Sequence, residues 1–387
     1  MRNFILTSSS VTDGHPDKLC DRISDAVVDR FLTRDPSAHI MAECAISGGI
    51  VFVAAQTQSE ASVDIPLAAR EIISETGYKD TDFNPSTVTI LSSVTPKGAV
   101  YANSEAEGAE TVNTTVFGFA CNHTPEMMPA SIVLAHRLAK RLSEYRRTPG
   151  QEWIHPDGQA QVAIVFEERK PVAVHGITLF SAIQPNGADR RDIVSHLREA
   201  IIEPVLAGFE LPLSEAARIM VNPGLRAVTG GPGRHAGLTG RKNDIDCYGS
   251  YSRHGGAALS GKDPRRIDRA AAYAARHAAK NVVASGLASE CEVQLSYAIG
   301  ETEPISVEID TFGTARISDD KIEEALQSII NFDANAILRV FHFTDLPRRN
   351  GGQFFGRLAV FGHFGRPDLS LPWEVTDKAD QLRGLIS

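Results

Sequence analysis

The residues best suited to chemistry crowd into one stretch, 233–268. GLTGRK (237–242), RHGG (253–256) and SGKD (260–263) follow one another there. Glycines let a main chain approach a ligand closely and adopt positive φ. The basic side chains beside them pair with phosphate oxygens, arginine as a planar fork and lysine as a point charge. The neighbouring carboxylates suit hard cations such as Mg²⁺, which bridge to substrate phosphates. A second cluster near the start, Gly14-His15-Pro16-Asp17-Lys18, has the same ingredients. The two together read as one nucleotide-triphosphate site built from distant parts of the chain.

Alternating helical and strand periods must position these loops. Leu19, Ile23, Val27 and Phe31 recur every four residues, which predicts an amphipathic helix over 17–33. Strands are expected at 40–46 and 50–57, joined by Ser47-Gly48-Gly49, a hairpin signal. A helix (66–75) and a strand (87–93) follow. The Gly-, Ala- and Glu-rich stretch 95–113 lacks periodicity and reads as a lid-like loop. A second round comprises a helix (128–145), paired strands (161–166 and 172–183) and a helix (189–206). A third has a long Ala-rich helix (265–286), strands 292–299 and 305–312, and a helix 319–329. Three rounds of similar size predict an α+β protein of three helix-on-sheet layers. The expected domains are 1–103, 104–228 and 229–387.

Composition narrows the class. The 387 residues exceed one ordinary core. A net charge of −9 disfavours nucleic acid as the main partner, although a local basic pocket still binds phosphate. The five cysteines are odd in number and lack metal-ligand spacing, which points to reduced thiols and a cytoplasmic location. No signal peptide or membrane span is expected.

Read in order, the motifs carry a resemblance. GHPDK (14–18), ISDAV (23–27), GLTGRK, RHGG, SGKDP, DRAAAYAAR (268–276), SYAIG (296–300), GHFGR (362–366), PWE (372–374) and TDKA (376–379) span nearly the whole chain. The sequence closely resembles the S-adenosylmethionine synthetase (methionine adenosyltransferase) family. The resemblance implies three α+β domains related by pseudo-threefold symmetry. It also implies a dimer, or dimer of dimers, with active sites at the subunit interface. The reaction it implies is attack by a nucleophile on C5′ of ATP, loss of triphosphate, and hydrolysis of that triphosphate to pyrophosphate and phosphate. Two Mg²⁺ and a K⁺ assist. By position, His15 resembles the triphosphate-facing histidine, Asp17 and Asp268 the magnesium carboxylates, and Glu43 the potassium ligand. Arg241, Lys242 and Lys262 resemble the phosphate-binding basic residues, and Asp157 and Arg226 occupy nucleotide-binding positions. His15, Arg241, Lys242 and Lys262 are the expected catalytic set.

The departures concentrate where the family binds methionine. Gln56 and His235 stand where the family has acids, Val112 aligns with a third, and Arg266 replaces an amino-acid-binding lysine. Ser93-Val94-Thr95-Pro96-Lys97 replaces a family loop. An ammonium facing Gln56, His235 and Val112 lacks a charge partner, a loss of about 2–5 kcal/mol in a dry site. The expected acceptor, contacted by Gln56, His235 and Arg266, is therefore a small nucleophile other than ordinary methionine. Gln159, Ala227 and Ser9 replace a catalytic lysine, an adenine-stacking aromatic and a glutamate of the family. Two alternatives stand beside this reading. One is a divergent methionine adenosyltransferase that rebuilds the pocket with Glu105, Glu107 or Glu110. The other is a non-catalytic nucleotide-binding partner subunit.

Overall fold

The computed structural model describes residues 3–80, 82–96, 113–183, 190–223 and 230–386. Arg226, Ala227, Val112, Glu105, Glu107 and Glu110 lie outside the described residues, as does nearly all of the expected lid. Among these residues the architecture is α+β, built on three open sheets.

The first round contains α1 (Pro16–Arg34), β2 (His39–Ser47), β3 (Ile50–Gln58), α2 (Ile65–Thr76) and β4 (Thr89–Pro96). The second contains α3 (Ala130–Tyr145), β6 (Ile154–Glu167), β7 (Lys170–Ile183), α4 (Arg190–Leu197, carried on by a π turn at Arg198–Ile202), α5 (Glu203–Ala207) and β8 (Leu213–Val221). The third contains α6 (Asn243–Asp246), α7 (Ile267–Ala284), β10 (Glu290–Tyr297), β11 (Ser306–Asp310) and α8 (Asp319–Ile329). The hairpin β2–β3 closes on Gly48-Gly49, with Gly48 at φ 54°, the conformation a two-residue turn demands. One long helix covers each sheet: α1 packs on β2, α3 on β6, and α7 on β10.

Each round also opens with a lead strand: β1 (Phe4–Val11), β5 (Thr114–Cys121) and β9 (Gly237–Leu238). None of the three joins the hairpin of its own round. The sheet orders are β1-β6-β7-β8, β11-β10-β5 and β4-β3-β2-β9. The first round thus completes the second sheet, the second completes the third, and the third completes the first. All three of these strands pair across an expected boundary, at 103/104, 228/229 or both, and so among the described residues no sheet is confined to one contiguous segment.

β1 is absent from the sequence expectations because the fully buried positions of its inward face, beyond Phe4 and Leu6, are serines. Ser8 bonds to the Ser131 hydroxyl at 2.9 Å and Ser10 to His136 Nδ1 at 2.8 Å, both on α3. Polar residues buried with partners carry no hydrophobic period. Two apolar cores result. One runs continuously through the α1, α2 and α7 layers, and the other fills the α3 layer.

Candidate active site

The site grows from α1. His15 caps this helix: the Asp17 amide donates to His15 Nδ1 at 3.2 Å, and Pro16 occupies the first turn, where its missing N–H costs nothing. The helix start is clamped on both sides. A Cβ on Gly14 would overlap Pro156, and one on Gly237 would overlap the Pro16 carbonyl. Tyr78 donates its hydroxyl hydrogen to the Gly14 carbonyl.

Four aspartates spaced by four residues then run down one face of α1. Each receives the backbone of a distant loop. Asp17 accepts from the Leu238 amide at 3.0 Å, and Asp21 from the Gly240 amide at 2.8 Å. Asp25 accepts from the Gly261 amide at 2.8 Å, and Asp29 from the amides of Phe354, Phe355 and Gly356 at 2.9–3.0 Å. All four are buried. Asp25 also holds the buried Arg269 through bonds of 2.7 and 3.1 Å, and Arg269 donates to the Lys262 carbonyl. Lys18 is buried between Asp21 and Asp246 and donates to both. Burial opposes its charge, but the two carboxylates prevail and raise its pKa. Burial pushes Asp29 and Asp246 up to about 7. The glycine-rich turns are thus hung from one helix. Sequence reading missed this column, although the spacing 17, 21, 25, 29 is visible in the chain.

The predicted site residues fall into two clusters. The first gathers His15, Asp17, Arg241, Lys242, Asp157 and His235. Lys242 Nζ lies 2.6 Å from Asp17 Oδ2, and Arg241 lies 3.7 Å from Asp17 Oδ1. Burial raises Asp17, but bonds from Lys242 and the Leu238 amide outweigh it and its pKa falls below the ordinary value. Asp157 is buried in β6, accepts from the Gly231 amide at 2.8 Å and meets His235 Nε2 at 3.0 Å. That bond outweighs partial burial, which disfavours the charged ring, and raises the His235 pKa. The His15 and His235 ring centroids are 4.9 Å apart. Burial lowers His15 to about 4 despite the nearby Asp157 and Asp17 carboxylates.

The second cluster gathers Lys262, Asp268, Arg266 and Gln56. Lys262 Nζ is 2.5 Å from Asp268 Oδ2, and the Arg266 charge acts on both. Burial draws Lys262 below the ordinary lysine value, and Asp268 restores it only in part. The turn is tight: Gly261 has φ 83°, and its carbonyl accepts from the Ala42 amide at 2.7 Å. Met41 bridges to Lys262 on one side and pairs with Gln56 on the other.

Strand β2 links the clusters. Met41 borders the second and Ala45 pairs with Leu238 of the first, a separation of about 13 Å at strand rise. Glu43 lies between them, exposed on the same face. That face also presents Ile50, Phe52, Leu91 and Leu238, which are 53, 42, 52 and 45 % exposed.

Three interlocked helix-on-sheet units, with acid-paired lysines on turns hung from one helix, define the class of protein. It is an α+β protein with a divided polar site flanking an apolar sheet face. Three family models match it in series: the S-adenosylmethionine synthetase N-terminal domain over 3–99, the central domain over 107–226 and the C-terminal domain over 229–375. The chain belongs to the S-adenosylmethionine synthetase family. It is similar to the S-adenosylmethionine synthase of Trichormus variabilis, with 41 % identity over 100 % of this chain and 98 % of the relative. The same enzyme of Rippkaea orientalis is 41 % identical over 99 % of this chain and 96 % of the relative. That of Synechococcus elongatus is 41 % identical over 99 % and 97 %.

Proposed function

We propose that the protein is an ATP-dependent adenosyltransferase that joins a small nucleophile to C5′ of ATP with loss of triphosphate. The observation that carries this reading is the pairing of each expected magnesium carboxylate with an expected phosphate lysine, Asp17 with Lys242 and Asp268 with Lys262. In each pair the acid would be free to turn to Mg²⁺ and the lysine to phosphate oxygens when a polyphosphate is bound. The donor set fits the ion, because carboxylate oxygens suit Mg²⁺. Asp17 and Asp268 would hold it, and Glu43 offers one hard oxygen toward K⁺. When bound, the cations screen the charge of the leaving triphosphate. Lys242, Arg241, Lys262 and His15 stabilise that charge directly, in positions fixed before the reaction. Asp157 and Arg226 hold the nucleoside. Hydrolysis of the triphosphate by water, followed by release of pyrophosphate and phosphate, completes the cycle.

The two clusters lie apart on one exposed apolar face. A twofold contact of that face with a second copy would bring the first cluster of one protomer to the second of its partner, and symmetry would repeat the meeting in the opposite sense. Self-association through Ile50, Phe52, Leu91 and Leu238 therefore completes two sites.

We further propose that the acceptor carries an anion and no free ammonium. His235, drawn toward its charged form by Asp157, stands where the family has an acid. Gln56 is neutral and Arg266 cationic. The similarity to S-adenosylmethionine synthases favours the second reading, methionine as the acceptor. Mass spectrometry of ATP reactions with thioethers, thiols, carboxylates and amino acids separates the two through the adenosyl adduct formed. Efficient formation of S-adenosylmethionine defeats the anionic reading. On that reading His235→Asp with Gln56→Glu raises methionine turnover, and an unchanged rate means the charge argument is wrong.

A further inference from the structure

We propose that His15, Asp157 and His235 form a binding site for a borderline divalent metal ion, Zn²⁺ in particular, distinct from the magnesium carboxylates. One ligand atom from each residue lies within 4.8 Å of the other two. The pair His235 Nε2 and Asp157 Oδ2 is already 3.0 Å apart, close to the roughly 3.3 Å that tetrahedral zinc with bonds near 2.0–2.1 Å sets between ligands. His15 closes the set by a rotation of its ring toward His235, whose centroid is 4.9 Å away.

The three ligands come from separate segments, and close packing fixes the backbone beside each. His15 caps α1 beside Gly14, which abuts Pro156 one residue before Asp157. Asp157 is buried in β6. His235 follows Gly230 and Gly231, where a Cβ would overlap Asp157 and Tyr78 respectively. Asp17 offsets part of the surrounding positive charge, since Lys242 is paired with it at 2.6 Å and Arg241 leans on it. Two imidazoles and one carboxylate leave an open position and select Zn²⁺ or Co²⁺ over Mg²⁺, which prefers oxygen.

Proton placement follows from the bonds. Each neutral ring ligates through Nε2 and keeps its proton on Nδ1. For His15 this trades the Asp17 amide bond for the Asp17 carboxylate, 3.9 Å from Nδ1, the kind of carboxylate partner that orients a metal-bound histidine. A doubly protonated His235 releases one proton to solvent.

The site shares His15 and Asp157 with the proposed nucleotide pocket, yet its existence does not depend on that function. The test is therefore direct binding by the full chain without nucleotide. Zn²⁺ is titrated calorimetrically and Co²⁺ by visible absorption, with the wild type beside His235→Asn and Asp157→Asn. Asparagine at 235 retains a donor for Asp157, and thermal melts confirm the fold. The expected result is one Zn²⁺ per chain, an intense tetrahedral Co²⁺ spectrum, and affinity at least about 10-fold weaker in either variant. Excess Mg²⁺ leaves the spectrum unchanged. Equal affinity in wild type and His235→Asn, a weak octahedral spectrum, or displacement by Mg²⁺ overturns the proposal.

Discussion

At the scale of single residues, lysines paired with acids set the behaviour of the site. Lys262 is mostly buried and bound to Asp268. Lys262→Ala removes one fixed positive group from the leaving triphosphate and is expected to lower ATP-dependent turnover by at least about 100-fold. Phosphate release measured at saturating nucleotide checks this, and retained turnover places the triphosphate elsewhere. His15 makes a second prediction through its pKa. Burial holds it to about 4, with Lys242 and His235 opposing the pull of Asp157 and Asp17, so the ring is neutral at pH 7. An adjacent polyphosphate favours the charged ring and raises that value. Nucleotide binding then takes up protons at acidic pH, and affinity rises as pH falls from 7 toward 5. Calorimetry in buffers of different ionisation heat reads the uptake, which His15→Asn should diminish. The folded-state consequence has the opposite sense. An unfolded histidine protonates near 6.5 while the native His15 does not, and so its contribution to stability is lost between about 6.5 and 4. The residue types were legible because glycine, lysine and acid in one short motif suit phosphate. The partnership of His235 with Asp157 was not, because 78 residues separate them.

At the scale of elements, α1 is the strut of the site. Its apolar column at 19, 23, 27 and 31 predicts the helix well, with observed bounds of Pro16–Arg34. The acidic column at 17, 21, 25 and 29 has the same period but escaped notice, since charged residues mostly remain in water. Here every member is buried and bonded to a loop amide. The column converts a stiff helix into a ruler for the turns at 238–242, 261–262 and 354–356. Asp25→Asn is expected to destabilise the fold by about 3–5 kcal/mol, because Arg269 is left as an uncompensated buried charge. Urea denaturation provides the measurement, and an unshifted midpoint would show that the turn at Gly261 is held by other means. Gly261→Ala should act on the same turn, since a Cβ there meets the Ala42 carbonyl in a backbone region that favours glycine.

At the scale of the whole molecule, the cyclic exchange of lead strands explains why repetition of element order was legible while the sheets were not. Pairing between β1 and β6, β5 and β10, or β9 and β2 joins residues far apart in sequence, and local periodicity carries no trace of it. The division of the site has a sharper consequence. If one site draws Lys242 from one protomer and Lys262 from its partner, Lys242→Ala and Lys262→Ala chains are each inactive alone. Mixed after dissociation and reassociation, they form heterodimers in which one site has both defects and the other has neither. With random pairing half the dimers are mixed, and activity should recover to about a quarter of wild type under isologous symmetry. A site completed within one chain predicts no recovery at any mixing ratio. Recovery must follow subunit exchange in time, which labelled protomers report independently, and it should fail when the exposed sheet face is blocked by Phe52→Glu. Complementation that appears without exchange would mean that the two clusters do not meet across this face.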